Sequence, residues 1–87
     1  MNTLNARHKK TLQAIFSSPT PATLEWRKIE ALFIALGAMV TEGNGSRVRF
    51  EINQVVASFH RPHPEKEAKT YQVRDAMAFL IAVGVTP

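Results

Sequence analysis

The chain has 87 residues, 45% of them hydrophobic, and no cysteine, which predicts one globular domain without disulfides, Cys-zinc sites or a thiol nucleophile. Its 11 Lys and Arg outnumber its 7 Asp and Glu, and the formal net charge of +4 favours an anionic partner. No apolar run approaches the roughly 18 residues of a membrane span and no signal-peptide core is present, so we expect a cytoplasmic protein without a membrane partner.

The N-terminal region, residues 2–17, predicts a helix, because its apolar side chains fall near one stripe. These side chains are Leu4, Leu12, Ile15 and Phe16. The same helix carries the basic residues 7–10, which form either a solvated helix face or a nucleic-acid contact. The Ser- and Pro-containing residues 17–21 end this helix and form a short linker.

A second helix is predicted over residues 23–36, where apolar side chains recur at spacings of three and four. They are Trp26, Ile29, Leu32, Phe33 and Leu36. Thr23 is expected to cap the first turn of this helix with its hydroxyl oxygen.

The first β-hairpin is predicted from residues 38–42 and the strand that begins at Arg47. A two-residue loop at Asn44-Gly45 would place Val40 opposite a charged residue, on the wrong face. A three-residue loop over residues 44–46, with a glycine bulge, places Val40 opposite Phe50 instead. We expect the second register, since it keeps the apolar face continuous.

The second hairpin follows from an alternation of charged and apolar residues over residues 47–52. A two-residue turn at Asn53-Gln54 pairs this strand with residues 55–60. In this register Arg47 lies opposite His60, and Arg49 lies opposite Ser58. These side chains share the face away from the core, and a basic face with one histidine suits a phosphate-bearing ligand.

A last helix is predicted to begin near Thr70, as its N-cap, after a loop over residues 62–69. Its apolar stripe is Val73, Met77, Leu80 and Ile81. The chain thus predicts two helices, three antiparallel strands and a final helix. This order indicates an α+β fold whose helices cover one face of the sheet and leave the other face open.

Short segments of this chain resemble, in their order and spacing, the HicA-like toxin family, the small mRNA interferases of type II toxin–antitoxin systems. The segments are residues 26–32, 36–38, 43–50, 59–64, 73–75, 79–80 and 84–85. The resemblance implies a fold like a double-stranded-RNA-binding domain, α-β-β-β-α, with an extra N-terminal helix. It gives one domain over residues 1–87, with a helical extension at 1–17 and a HicA-like core at 23–85.

The resemblance also implies a function. A HicA-like toxin cleaves mRNA without a metal ion or another cofactor, is inhibited by a HicB-like antitoxin, and reaches DNA only indirectly, through co-repression by that antitoxin. Many members carry a catalytic histidine directly after the Gly-Ser of the second strand, where this chain has Arg47. His60, opposite Arg47 in the predicted register, is expected to supply an imidazole in nearly the same place.

Cleavage of RNA by its own 2′-hydroxyl requires a base, an acid and positive charge around the phosphorane. Histidine titrates near neutrality, and arginine binds phosphate oxygens bidentately. We predict His60 as the general base or acid, with RNA contacts from Arg47, Arg49, Arg61 and Ser58. His63 is either a second proton donor or a loop contact.

Other chemistry is not predicted for this region. His60 and His63 are three residues apart at a strand end and point to opposite faces, so no metal site is expected. No acid–base arrangement in the sequence supports Ser46 as a nucleophile. The alternative function is a non-catalytic RNA- or antitoxin-binding module of the same fold that has lost the usual catalytic histidine.

Overall fold

The structure, a computed structural model that describes residues 4–87, contains three helices and one three-stranded antiparallel sheet. The elements are α1 Ala6–Ile15, α2 Trp26–Ala35, β1 Met39–Glu42, β2 Arg47–Ile52, β3 Val55–His60 and α3 Thr70–Ala82. This order confirms the α+β class and the α-β-β-β-α arrangement after an additional N-terminal helix. The predicted start of the first helix, at residue 2, lies outside the described residues.

The first hairpin has the predicted register. Val40 pairs with Phe50, and Gly45 adopts a φ of 62° in the three-residue loop. The backbone passes so close to Gly43 that an added Cβ would lie 3.0 Å from the Cβ of Arg47. Only glycine fits that approach without a shift of the neighbouring strand.

The second hairpin also has the predicted register. Asn53 and Gln54 both have positive φ values, 50° and 67°, as a two-residue type I′ turn requires. This turn places Arg47 opposite His60 in the ladder between β2 and β3. The register therefore brings the two side chains to the same face of the sheet.

An aromatic cluster joins the helices to one face of the sheet. Phe33 is fully buried in α2, with its ring centroid 5.0 Å from that of Phe50 and 5.2 Å from that of Phe79. Trp26 packs on Phe59 at 5.1 Å between centroids. None of the helices within residues 4–87 covers the opposite face of the sheet, so the side chains of this face are available for binding.

The start of α2 differs from the prediction. Thr23 as the N-cap is wrong, because α2 begins at Trp26. The backbone N–H of Trp26 donates to the carbonyl of Lys66 at 2.9 Å, and that of Ala68 donates to the carbonyl of Leu24 at 2.8 Å. These two bonds hold the preceding residues extended, and tertiary pairing therefore overrides the local capping signal.

The start and the buried face of α3 also differ from the prediction. Thr70 is the first helical residue rather than the N-cap, which is Lys69. Ile81 is 54% exposed, so its place in the predicted apolar stripe is wrong. The buried face passes instead through Gln72 and Phe79, because Phe79 completes the aromatic cluster.

The N-terminal helix α1 packs against α2 and α3. Asn5 caps it, and its side-chain oxygen accepts a hydrogen bond from the N–H of His8 at 2.8 Å. Leu12 and Ile15 enter the core. Within residues 4–87, none of the helices has the length and apolar character needed to cross a bilayer.

Candidate functional site

His60 ends β3 on the open face of the sheet and is exposed. The ladder places Arg47 opposite His60 and Arg49 opposite Ser58, and all four side chains are exposed. The predicted placement of these residues is therefore confirmed. Their roles toward RNA stay predictions.

Ser46 contacts the imidazole. Its Oγ lies 3.3 Å from Nδ1 of His60, and its carbonyl accepts the N–H of Arg61 at 2.8 Å. Among the residues that the structure describes, none hydrogen-bonds Nε2 of His60. Ser46 thus contacts the ring at Nδ1 and not at Nε2. The sequence reasoning missed this contact, because it considered Ser46 only as part of the Gly-Ser motif and as a nucleophile, and not as a neighbour of His60.

Gln72 of α3 contacts the backbone of His60 with its side chain. The side chain of Gln72 is buried, and its Nε2 donates to the carbonyl of His60 at 2.7 Å. Its Oε1 accepts the N–H of Lys69 at 3.0 Å. One buried amide therefore ties the end of β3 to the start of α3.

Arg61 binds two carboxylates. Its Nε and Nη2 each donate to Glu30 at 3.0 Å, and its Nη1 and Nη2 donate to Glu42 at 2.7 and 2.9 Å. Trp26 Nε1 donates to the same Glu30 at 2.9 Å. The hydrogen bonds to Glu42 and Glu30 raise the pKa of Arg61, and Arg61 lowers the pKa of Glu42. This network joins the end of β3 to α2 and to β1.

The three predicted phosphate-binding arginines therefore differ in their surroundings. Arg61 is engaged by carboxylates, whereas Arg47 and Arg49 make no ion pair within the described part of the chain. Phosphate binding by Arg61 stays a prediction and requires it to release a carboxylate. His63 is exposed in the loop between β3 and α3, and its role also stays a prediction.

A shallow depression on this face is lined by Arg47, Arg49 and Ser58, together with Thr41 and Glu42 of β1. It gathers three of the predicted RNA contacts beside the end of the hairpin. Within residues 4–87, no three His, Asp or Glu side chains converge on a position that could hold a metal ion. The depression offers arginines, hydroxyl groups and the carboxylate of Glu42, and the imidazole of His60 lies opposite Arg47 in the ladder.

We expect the ion pair of Arg61 with Glu42 to stabilise the protein at pH values above the folded pKa of Glu42 and not at lower pH values. The folded pKa of Glu42 lies below its usual 4.5, so the unfolded chain binds this proton more tightly. The contribution is therefore present above about pH 5 and is lost as the pH falls through the folded pKa. Glu42→Gln should lower the urea midpoint slightly at pH 7 and leave it unchanged in strong acid.

The matched control is Glu67→Gln, which removes an exposed carboxylate that has no ion pair among the described residues. Urea unfolding of both variants and the wild type at each pH measures the effect. Equal midpoints for Glu42→Gln and the wild type at pH 7 would show that the pair contributes nothing.

The fold and this face define a small α+β domain with a basic, histidine-bearing open sheet. The family model of the HicA toxin of bacterial toxin–antitoxin systems matches residues 26–81, more than half of the chain. The chain belongs to the HicA toxin family and is a toxin of a toxin–antitoxin system, with an antitoxin as its partner. No curated protein and no solved structure matched the chain. Helix α1 precedes the matched region.

Proposed function

We propose that this toxin is an mRNA endoribonuclease that works without a metal ion and uses His60 for proton transfer. One observation carries the proposal: an exposed imidazole with an open Nε2 lies opposite Arg47, beside a second unpaired arginine, Arg49. Family membership supplies the biological context of a toxin. The arrangement provides the proton acceptor and the positive charge that cleavage by the RNA 2′-hydroxyl requires.

The proposed reaction begins when Nε2 of His60 accepts the proton of the 2′-hydroxyl. The 2′-oxygen then bonds to the adjacent phosphorus, and the bond from phosphorus to the 5′-oxygen breaks. The departing 5′-oxygen takes a proton from an acid, which is one of the two roles predicted for His63; this role requires the loop between β3 and α3 to bring His63 to the face of His60. The products are a 2′,3′-cyclic phosphate and a free 5′-hydroxyl. His60 has gained one proton, and the donor has lost one.

Arg47 and Arg49 stabilise the phosphorane in this mechanism. Their guanidinium groups can donate paired hydrogen bonds to phosphate oxygens. Ser58, opposite Arg49, adds a hydroxyl donor. Arg61 fixes the end of β3 through its carboxylate partners, and a direct phosphate contact from it requires Glu42 to leave.

The proposed inhibitor is a HicB-like antitoxin that covers the open face of the sheet. At the end of this face away from His60, Met39 and Val56 flank Glu51 in the ladder and are 67% and 49% exposed. A protein partner gains free energy from burying such exposed apolar side chains. A partner that is anchored there and extends along the open face would block access of RNA to His60. We place the toxin in the cytoplasm with its mRNA substrate, and its contact with DNA only through the antitoxin.

A non-catalytic binding module is the second candidate. Arg47 occupies the place of the usual family histidine, and this observation favours a face that holds RNA or the antitoxin without cutting. Incubation of the purified protein with RNA in the presence of a chelator separates the two functions. Fragments ending in a 2′,3′-cyclic phosphate support the endoribonuclease, and binding without fragments supports the module.

We expect Arg47→Gln/Arg49→Gln to weaken RNA binding and to reduce its dependence on salt. Each lost phosphate contact on a single strand lowers the slope of log affinity against log salt by about 0.7, so the double variant should lose about 1.4. Fluorescence anisotropy with 2′-O-methylated RNA measures binding alone, since this RNA lacks the attacking hydroxyl.

The control for this variant is Lys69→Gln/Arg74→Gln, which removes the same formal charge from exposed positions at the start of α3. It should retain the wild-type slope. If both double variants lose the same slope, total charge rather than the open face governs binding, and the assignment of Arg47 and Arg49 is wrong.

A further inference from the structure

A second basic surface lies between α1 and α2, on the helical side of the molecule. We call it the α1–α2 groove, and its charged or titratable residues are Arg7, His8, Lys10, Arg27 and Lys28. None of the residues that line it is acidic. The open face with His60 is on the other side of the sheet, so the groove is separate from the site described above.

Local structure explains why these side chains meet. One side of α1 is buried through Thr11, Leu12 and Ile15. Arg7 and Lys10 lie outside this side and are exposed. In α2, the burial of Trp26 and Ile29 likewise leaves Arg27 and Lys28 exposed between them. Since α1 packs on α2, both basic sets line one groove.

Most of the net positive charge of the protein lies on the N-terminal helix. Residues 4–17 contain Arg7, Lys9 and Lys10 and no carboxylate, and therefore supply three of the four net positive charges. Arg27 is paired with Glu25 at 2.7 Å. Arg7, Lys10 and Lys28 make no ion pair among the residues that the structure describes, so their charge is available to a ligand.

The composition of the groove favours a polyanion backbone over a protein or a membrane. Protein interfaces derive most of their affinity from a few buried anchors, chiefly Trp, Tyr and Arg, and interfacial helices insert large apolar side chains. The exposed large apolar residues of the described chain are Ile34, Met39, Val56, Tyr71 and Ile81, and none of them lines the groove. Binding to phosphates requires only the positive charges that are present.

We propose that the α1–α2 groove binds the phosphate backbone of RNA, as a second contact that extends the substrate path from the open face onto the helical side. This proposal rests on RNA being the ligand of the proposed function, but it does not require cleavage. Most of the groove comes from α1, which lies outside the region matched by the family model. The helix is thus an accessory RNA-binding element joined to the toxin core.

The test is the double variant Arg7→Gln/Lys10→Gln, with a long 2′-O-methylated RNA as the probe. Its affinity should fall several-fold at low salt, and the slope of log affinity against log salt should fall by about 1.4 for two lost phosphate contacts. The control Lys69→Gln/Arg74→Gln should keep the wild-type slope. An unchanged slope in Arg7→Gln/Lys10→Gln overturns the proposal.

A competition experiment separates RNA from an acidic protein partner. Polyglutamate of equal total charge should displace the RNA from wild-type protein only weakly, because it lacks the phosphate groups that the groove is proposed to bind. Displacement by polyglutamate as strong as that by unlabelled RNA overturns the proposal in favour of an acidic protein ligand.

The same variants distinguish failure of this proposal from failure of the proposed function. A reduced slope without RNA cleavage by the wild type supports the groove and contradicts the endoribonuclease. Cleavage by the wild type, with an unchanged slope in Arg7→Gln/Lys10→Gln, supports the endoribonuclease and contradicts RNA binding by the groove. Additive losses on combining this variant with Arg47→Gln/Arg49→Gln support two separate contacts. A combined loss no larger than either alone overturns that separation.

Discussion

Replacement of His60 by alanine is expected to reduce RNA cleavage by about 10²–10⁴-fold, the usual contribution of a positioned general base, and to abolish growth arrest on induction. The expectation follows from the open Nε2, since the described chain places no other imidazole within the ladder that carries Arg47 and Arg49. His60 is exposed, so its truncation leaves no cavity and should preserve the fold. Cleavage of labelled RNA by purified proteins measures the effect.

The matched control is Val56→Ala, which truncates an exposed side chain on the same strand and the same face, outside the basic residues. It should keep wild-type cleavage. Added imidazole should restore part of the activity to His60→Ala, because it replaces the missing proton acceptor, but it should not affect Val56→Ala. Full cleavage by a folded His60→Ala protein would contradict the assigned role.

The sheet could be predicted from the sequence because its signals are local and mutually consistent. Alternation over residues 47–52 determines which face is apolar, and any slip by one residue would expose Phe50. The turns at Gly45 and Asn53 then leave one register for each hairpin. Placement of Arg47 opposite His60 follows from these features alone, without knowledge of the core.

The contacts that support the site could not be predicted in the same way. Arg61 meets Glu30 and Glu42, which are 31 and 19 residues away in the chain and belong to different elements. No local pattern relates such residues. Gln72 was missed for another reason, since a search for apolar periodicity passes over a polar residue even when it is buried.

Gln72 therefore carries the second large effect that we expect. Gln72→Ala removes the partners of the His60 carbonyl and the Lys69 N–H at a buried position, which should lower the free energy of unfolding by about 1–3 kcal/mol. The backbone of His60 loses its anchor to α3, so cleavage should fall as well, through kcat more than through KM. Urea unfolding and steady-state kinetics measure the two effects.

Two further variants separate the parts of this effect. Gln13→Ala truncates an exposed glutamine in α1 and should change stability by less than about 0.5 kcal/mol. Gln72→Glu keeps the acceptor for the Lys69 N–H but sets a carboxylate against the His60 carbonyl, where it can donate only when protonated. Gln72→Glu should have a reduced free energy of unfolding at neutral pH. As the pH falls, it should become more stable relative to Gln72→Ala. If Gln72→Ala matches Gln13→Ala in both stability and kcat, Gln72 does not position His60, and the site is held by the Arg61 network instead.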